Sequence, residues 1–290
     1  MAFAVALVPT LLLSGCSWIR GAAASSARAT LGSIAAAVLE NPDPEVVRAG
    51  LPSFLLVLDG LAKSDPENHE ILLQASELYL SYTQAFVGSD DPESAARATG
   101  LYERARDYAL RALAAEGAPL PLERTTPLAR FESALADLDA EHAVAAHAAA
   151  AAWLGRIVAD VESMASLAEL PQALALARRA LELDDQYGGG RLHLAFGVFY
   201  AVQPPGIGQD LARSRHHFDR AAEIAGPDVL LPRVLRAEFV ARAELDEATF
   251  TSTLEEVLAA SSDDAPSHRL ANSLARQRAR ELLAKRDDLF

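Results

Sequence analysis

The 290-residue chain is short of cysteine, aromatics and positive charge, and each shortage removes a class of function. A single cysteine, Cys16, excludes a disulfide framework and a cysteine-based zinc site. Lys and Arg number 26 against 40 Asp and Glu, for a formal net charge of −14. That balance argues against nucleic acid and against adhesion to anionic lipid headgroups, since both need clustered basic side chains. Aromatics make up only 6%, and β-branched residues are too sparse for a large sheet. No Gly-x-Ser-x-Gly, His-Glu-x-x-His or Walker sequence occurs, so no nucleophile elbow, zinc helix or phosphate loop points to an enzyme. The seven histidines show no metal-ligand spacing. His216 and His217 are adjacent and diverge on a helix, and His142 and His147 are five apart. No cofactor is expected.

What the chain has in abundance is alanine, at 60 positions, within a hydrophobic content of 51%. With Leu, Glu and Arg this is a helix-forming composition rich enough for a packed core. From about Thr30 onward, Pro, Gly and Asp punctuate one apolar-periodic segment after another. Asn41-Pro42-Asp43-Pro44 opens a helix, and Ser64-Asp65-Pro66-Glu67 stops it and caps the next. Ile71, Ala75, Leu78, Tyr82 and Phe86 then share a face. Ala95 to Leu113, Pro127 to Asp139 and a long Glu141 to Ala168 follow, then Pro171 to Leu183, Gly190 to Val202 and Leu211 to Ala225. Pro227 to Ala243, Glu247 to Ala260 and Ser267 to Lys285 complete about a dozen helices. Gly188-Gly189-Gly190-Arg191 reads as a flexible turn, because no strand precedes it and no Lys-Ser/Thr follows. Ala177 and Ala180 are echoed by Phe218 and Ala221, and Gly197 and Tyr200 stand three apart. These features resemble tetratricopeptide repeats with lengthened loops, in which small residues at the helix seam face a large partner. The expected fold class is an all-α, tetratricopeptide-like helical-hairpin solenoid.

The first residues read differently. Ala2 to Leu13 is apolar or small and free of charge, too short to span a bilayer and suited to a signal-peptide core, although no Lys or Arg precedes it. Leu13-Ser14-Gly15-Cys16 resembles the lipobox of bacterial lipoproteins, in which a peptidase cuts before an acylated cysteine. The resemblance implies a signal peptide over 1–15, lipidation at Cys16, a tether over 16–28 and a helical domain over 29–290. Ser17, where inner-membrane lipoproteins often carry Asp, favours the outer membrane over the inner one within the periplasm.

The body resembles one family in particular, the lipoprotein T component of tripartite ATP-independent periplasmic (TRAP) transporters. The likeness rests on Ser64-Asp65-Pro66-Glu67-Asn68 leading into Glu77-Leu78-Tyr79-x-x-Tyr82-x-x-Ala85-Phe86, and on Trp153 in its alanine-rich helix. It continues through Ala180-Leu181-Glu182-Leu183-Asp184, Phe199-Tyr200-Ala201-x-x-Pro204 and His217-Phe218-Asp219-Arg220-Ala221. The most distinctive stretch runs from Arg269-Leu270-Ala271-Asn272-Ser273-Leu274 to Asp288-Leu289-Phe290. The resemblance implies a non-catalytic, trimeric, periplasmic lipoprotein with apolar openings. It also implies that a solute-binding P component docks on it and that a small hydrophobic or organic-acid ligand is held or passed.

Two residue sets are candidates for such a ligand. Tyr79, Tyr82 and Phe86 form one aromatic stripe and Phe196, Phe199 and Tyr200 another; with Trp153 they are expected either to line an apolar passage or to fill the solenoid core. Asn272, Arg276 and Arg280 lie at i, i+4 and i+8 on the last long helix, a spacing that suits carboxylate recognition or a salt-bridged solvated face. The same helices also fit a tetratricopeptide-like envelope scaffold that clamps peptide segments. A scaffold is expected to be monomeric, the transport accessory a closed oligomer.

Overall fold

The computed structural model describes residues 36–88, 91–118, 126–206, 208–261 and 266–290. The signal peptide, Cys16 and the tether lie outside the described residues. Regular structure is helical throughout the described residues, with no strand among them, and the architecture is an all-α, tetratricopeptide-like stack.

Short-range chemistry sets most helix starts. Asp43 caps α1 (Pro44–Ser64), its carboxylate accepting from the Glu45 and Val46 amides, and Pro44 sits in the first turn where a missing N–H costs nothing. Asp65 ends α1, and the cap of α2 (His69–Phe86) falls to Asn68 instead of the preceding Asp-Pro-Glu. Asp91 before Pro92 repeats the first arrangement at α3 (Pro92–Ala115). The chain continues through α4 (Leu128–Leu135), a 3-10 turn (Ala140–His142), α5 (Ala143–Ala159), α6 (Met164–Ala168) and α7 (Leu170–Leu183). Then come α8 (Tyr187–Val202), α9 (Leu211–Ala225) and α10 (Leu231–Arg236), which runs into a π-helical turn (Ala237–Ala241). α11 (Glu247–Ala259), a 3-10 turn (Pro266–His268), α12 (Arg269–Ala284) and α13 (Arg286–Leu289) close the chain.

Two long segments are broken where the hydrophobic pattern alone reads through. The expected helix over 141–168 stops at Asp160 and restarts after Ser163. There the Asp160 carboxylate takes the Ser166 hydroxyl and the Ser163 hydroxyl takes the Ser166 amide, so side chains replace helical partners. The segment 227–243 starts only at Leu231 and widens into the π turn.

Consecutive helices pack as pairs, with α2 on α3, α8 on α9 and α11 on α12, while α5 lies against both α3 and α7. The packed helices α3 and α5 are rich in buried alanine, with Ala98, Ala105, Ala109 and Ala112 on one and Ala145, Ala146, Ala149 and Ala152 on the other. Side chains this small let the backbones come close, and glycine makes room for the rings. A Cβ on Gly155 would lie 2.6 Å from the Tyr102 ring, and one on Gly197 would lie 2.7 Å from the ring of fully buried Phe218.

The two ends of the stack meet. α12 packs on α1, and the Ser273 hydroxyl donates to the Pro42 carbonyl at 3.0 Å. Leu270 of α12 belongs to the same apolar cluster as Val47, Leu51 and Leu55 of α1, whereas Ala275, Ala279 and Leu282 face a second cluster built on Val234, Phe250 and Leu254. α12 therefore has one face in each cluster, and this places a cavity beside it.

Candidate functional site

The cavity occupies about 990 Å³ between α1, α2, α10 and α12. Its walls are mostly aliphatic. Leu51, Phe54, Val57 and Leu58 come from α1, and Leu78, Ala85 and Phe86 from α2. Leu231 and Leu235 of α10 face Leu270, Ala271 and Leu274 of α12. A concave apolar volume of this size with a few converging polar groups is the form small-molecule sites take.

The charged groups of the wall come in pairs. Arg48 and Glu45 of α1 meet at 2.8 Å, both well exposed. Arg278 of α12 grips Glu238, a carboxylate buried in the π turn, and reaches Glu281 one turn on at 3.6 Å. Arg191 of α8 approaches Glu77 of α2 at 3.4 Å, and the Tyr187 hydroxyl donates to the same carboxylate at 3.4 Å. Behind that last pair is a cleft of about 10 Å³, close to the room one water needs, bounded by His147, Ala148, Ala151 and Leu192. Nε2–H of His147 donates to the carbonyls of Ala180 at 2.9 Å and Asp184 at 2.6 Å, which sets its tautomer. Burial lowers the His147 pKa and raises that of Tyr187, so both are neutral donors at neutral pH.

Arg191 is positioned by an uncommon backbone. Gly188, Gly189 and Gly190 have φ of 62°, 66° and 79°, three successive left-handed residues. Only glycine takes this conformation without Cβ strain. A Cβ on Gly190 would also stand 3.1 Å from the Ala221 backbone. The turn presses α8 onto α9 and directs Arg191 back across α2.

Of the seven aromatics considered from the sequence, Phe86 lines this cavity. Tyr79 is buried against Tyr108, and both hydroxyls donate to Asp59, at 2.9 and 2.8 Å, with Arg104 bridging Tyr79 and Asp59. Burial, with the Asp59 charge adding to it, pushes Tyr108 up to about 12. Tyr82 is buried beside Phe86, accepting from Arg97. Trp153 stands edge-on to Phe131 at 5.9 Å and donates to buried Glu169 at 2.8 Å. Phe196 and Tyr200 stack on His217, and Phe199 packs edge-on to Tyr200. Tyr79, Tyr82, Trp153 and Phe196 are buried and Phe199 and Tyr200 half-buried, and none of the six lines the cavity.

The proposed polar row on α12 is divided by its surroundings. Asn272 is buried, its amide oxygen accepting from the Leu230 amide at 3.1 Å and its nitrogen donating to the Asp228 carbonyl at 2.7 Å. Arg276 donates to the Ala260 carbonyl at 2.7 Å, closing the end of α11. Arg280 is exposed. The first two tie down chain ends, so no single solvated face carries all three.

The polar groups that do face the cavity were not singled out by spacing. Glu77 and Arg191 are 114 residues apart, and the one local sign is the glycine run before Arg191. Leu270, Ala271 and Leu274 fall within the distinctive C-terminal stretch. A further pair arises in the α8–α9 seam, where Nδ1 of His193 meets Nδ1 of His217 at 2.9 Å. Among the described residues no group of three or more His, Cys, Asp or Glu is placed to hold a metal, and no helix is long and apolar enough to cross a membrane.

Comparison with known proteins follows the same line. Residues 40–290 match the family model described as TRAP transporter T-component. An uncharacterised protein of Treponema pallidum (strain Nichols) is 26% identical over 268 residues, spanning 87% of this chain and 81% of its own length.

Proposed function

Because the chain belongs to the TRAP transporter T-component family, a non-catalytic transport accessory, we propose that it docks a periplasmic solute-binding protein and holds or passes that protein's ligand in the cavity between α1, α2 and α12. Lipidation at Cys16 anchors it to the membrane, the outer membrane being favoured, and it assembles as a homotrimer. The observation that supports ligand holding is the cavity itself. Its volume of about 990 Å³ is walled by leucine from both ends of the stack, a position in which core side chains would otherwise have met. Apolar surface left facing a cavity is unfavourable by about 25 cal/mol per Å², so an apolar ligand of matching shape stabilises the protein by covering it.

The test is native mass spectrometry of residues 17–290 purified gently from the periplasm, alone and with a co-expressed TRAP solute-binding protein. A three-chain mass carrying an apolar adduct, and a further species with the solute-binding protein, are expected. Ala271→Trp, which inserts an indole into the cavity, should abolish the adduct while leaving the three-chain mass intact. A bare monomer that retains only peptides would overturn the transport reading in favour of an envelope scaffold.

A further inference from the structure

The cavity reading leaves open how a ligand's polar end is recognised, and the wall holds one pair suited to that task. Charge-assisted hydrogen bonds normally close to 2.7–2.9 Å. The tighter pairs of this molecule reach that range, Arg104 on Asp59 at 2.7 Å and Arg156 on Glu169 at 2.6 Å, while others such as Arg106 on Glu169 stay at 3.4 Å. Glu77 belongs with the looser pairs, receiving Arg191 and Tyr187 at 3.4 Å each, and it is the one of them that both cavities share. The side chains of Arg191 and Glu77 remain 31% and 29% exposed, and both face the large cavity on one side and the small cleft on the other. The glycine turn leads directly into Arg191, and a Cβ on Gly188 would stand 3.7 Å from the Arg191 side chain. A guanidinium donor and a carboxylate acceptor thus lie side by side, loosely joined, at the edge of an apolar volume.

We propose that Glu77 and Arg191 form a head-group site for an un-ionised carboxyl at the end of an apolar ligand, with Arg191 donating to its carbonyl and its O–H donating to Glu77. This rests on the ligand-holding reading above. The complement is specific: a head that accepts and donates on adjacent atoms fits, whereas an ester can only accept and an alkylammonium can only donate. A carboxylate entering here would place a second negative charge against Glu77 with one guanidinium to offset both, so the ligand enters with a proton. Glu77 faces Arg191 and Tyr187 from α8 and His147 from α5, with Asp184 beyond His147. The other cavity arginines, Arg48 on α1 and Arg278 on α12, face their own carboxylates, Glu45 and Glu238. Among the described residues, no further cation of the cavity wall is therefore placed to neutralise the second charge.

The test uses four twelve-carbon probes, dodecanoic acid, dodecanamide, methyl dodecanoate and dodecylamine, with titration calorimetry on the full helical chain at pH 7.5. Measuring dodecanoic acid in two buffers of different ionisation enthalpy yields the protons taken up per ligand. About one proton is expected, with the acid and the amide binding about tenfold more tightly than the ester and the amine least. Arg191→Gln should remove the preference of acid over ester. Glu77→Gln should bind the acid as its anion, with proton uptake falling to zero, a change that a merely structural role would not produce. Equal binding of acid and ester, unaltered by either substitution but abolished by Ala271→Trp, would overturn the head-group site and leave the cavity reading standing. Failure of all four probes to bind would overturn both.

Discussion

Glu169 sits where three buried donors converge, and replacing it with glutamine tests whether Trp153 belongs to the packed interior. Its Oε2 accepts from Arg156 at 2.6 Å, from Trp153 Nε1 at 2.8 Å and from Arg106 at 3.4 Å. Glu169 is 7% exposed, Arg156 5% and Arg106 4%, so the two guanidiniums depend on nearby carboxylates and not on water. Removing one partner of a buried ion pair costs about 3–5 kcal/mol, because the other charge is left uncompensated. Here the loss is reduced at both arginines: Arg106 keeps Asp107 at 2.9 Å and Arg156 keeps the Ser166 hydroxyl at 3.4 Å. Glutamine also retains an acceptor for the indole. About 3 kcal/mol remains for Glu169→Gln, at the lower end of that range. For a domain of this length 1 kcal/mol moves the melting temperature by about 2–4 °C, so a fall of about 6–12 °C is expected. Thermal unfolding followed by circular dichroism at 222 nm reads it directly. Glu45→Gln, on an exposed pair, should move the midpoint by about 1 °C or less and serves as the control. A shift below about 2 °C for Glu169→Gln would refute the buried network and return Trp153 to the lining of an apolar passage.

Other expectations come from close contacts and from burial. Gly197→Leu drives a side chain into the fully buried Phe218 ring and should cost about 2 kcal/mol or more, read as a lowered urea midpoint. Gly190→Ala meets both a φ of 79° and the Ala221 backbone at 3.1 Å; a loss of about 1–2 kcal/mol is expected, with weaker protection of α8 and α9 amides in hydrogen exchange. Burial, with His193, His216 and Arg213 adding to it, lowers His217 to about 4, and burial also lowers His193. The unfolded chain then takes up protons first. Stability is complete above pH 6.5 and falls as the pH drops from 6.5 towards 4, by about 1–2 kcal/mol once solvent screening of the half-buried ring is allowed for. His217→Phe, which keeps the stack on Phe196 and Tyr200, should flatten that part of the melting-temperature profile between pH 7 and pH 4.

Helix identity was legible because its causes are local. Asp43 with Pro44, Asp91 with Pro92 and Asp246 before Glu247 cap helices through atoms two or three residues away, and periodic leucine and alanine mark the faces between. The echo of Ala177 and Ala180 by Phe218 and Ala221 also reflects packing, since all four are buried at helix seams. Boundaries were lost where a local side-chain bond outweighed an apolar pattern, as at Asp160 and Ser163, or where tertiary packing widened a turn, as over Ala237–Ala241.

The candidate site divides along the same line. That the chain is a helical stack could be read from composition, hydrophobic period and caps, which are properties of neighbours in sequence; its kinship to the TRAP T-component came from resemblance, in the order of its segments and in the C-terminal run. Which aromatics line a cavity could not be read, because a ring on a helical stripe looks the same whether it meets alanine across a seam or open space. Tyr79, Trp153 and Phe196 met partners and Phe86 met the cavity. The Glu77–Arg191 pair joins residues 114 apart, and the Ser273–Pro42 bond joins residues 231 apart. Sequence alone determined the helices and the family; only the return of α12 onto α1 decided that their apolar faces enclose a volume instead of filling it, since that closure depends on how helix crossings accumulate along the whole stack.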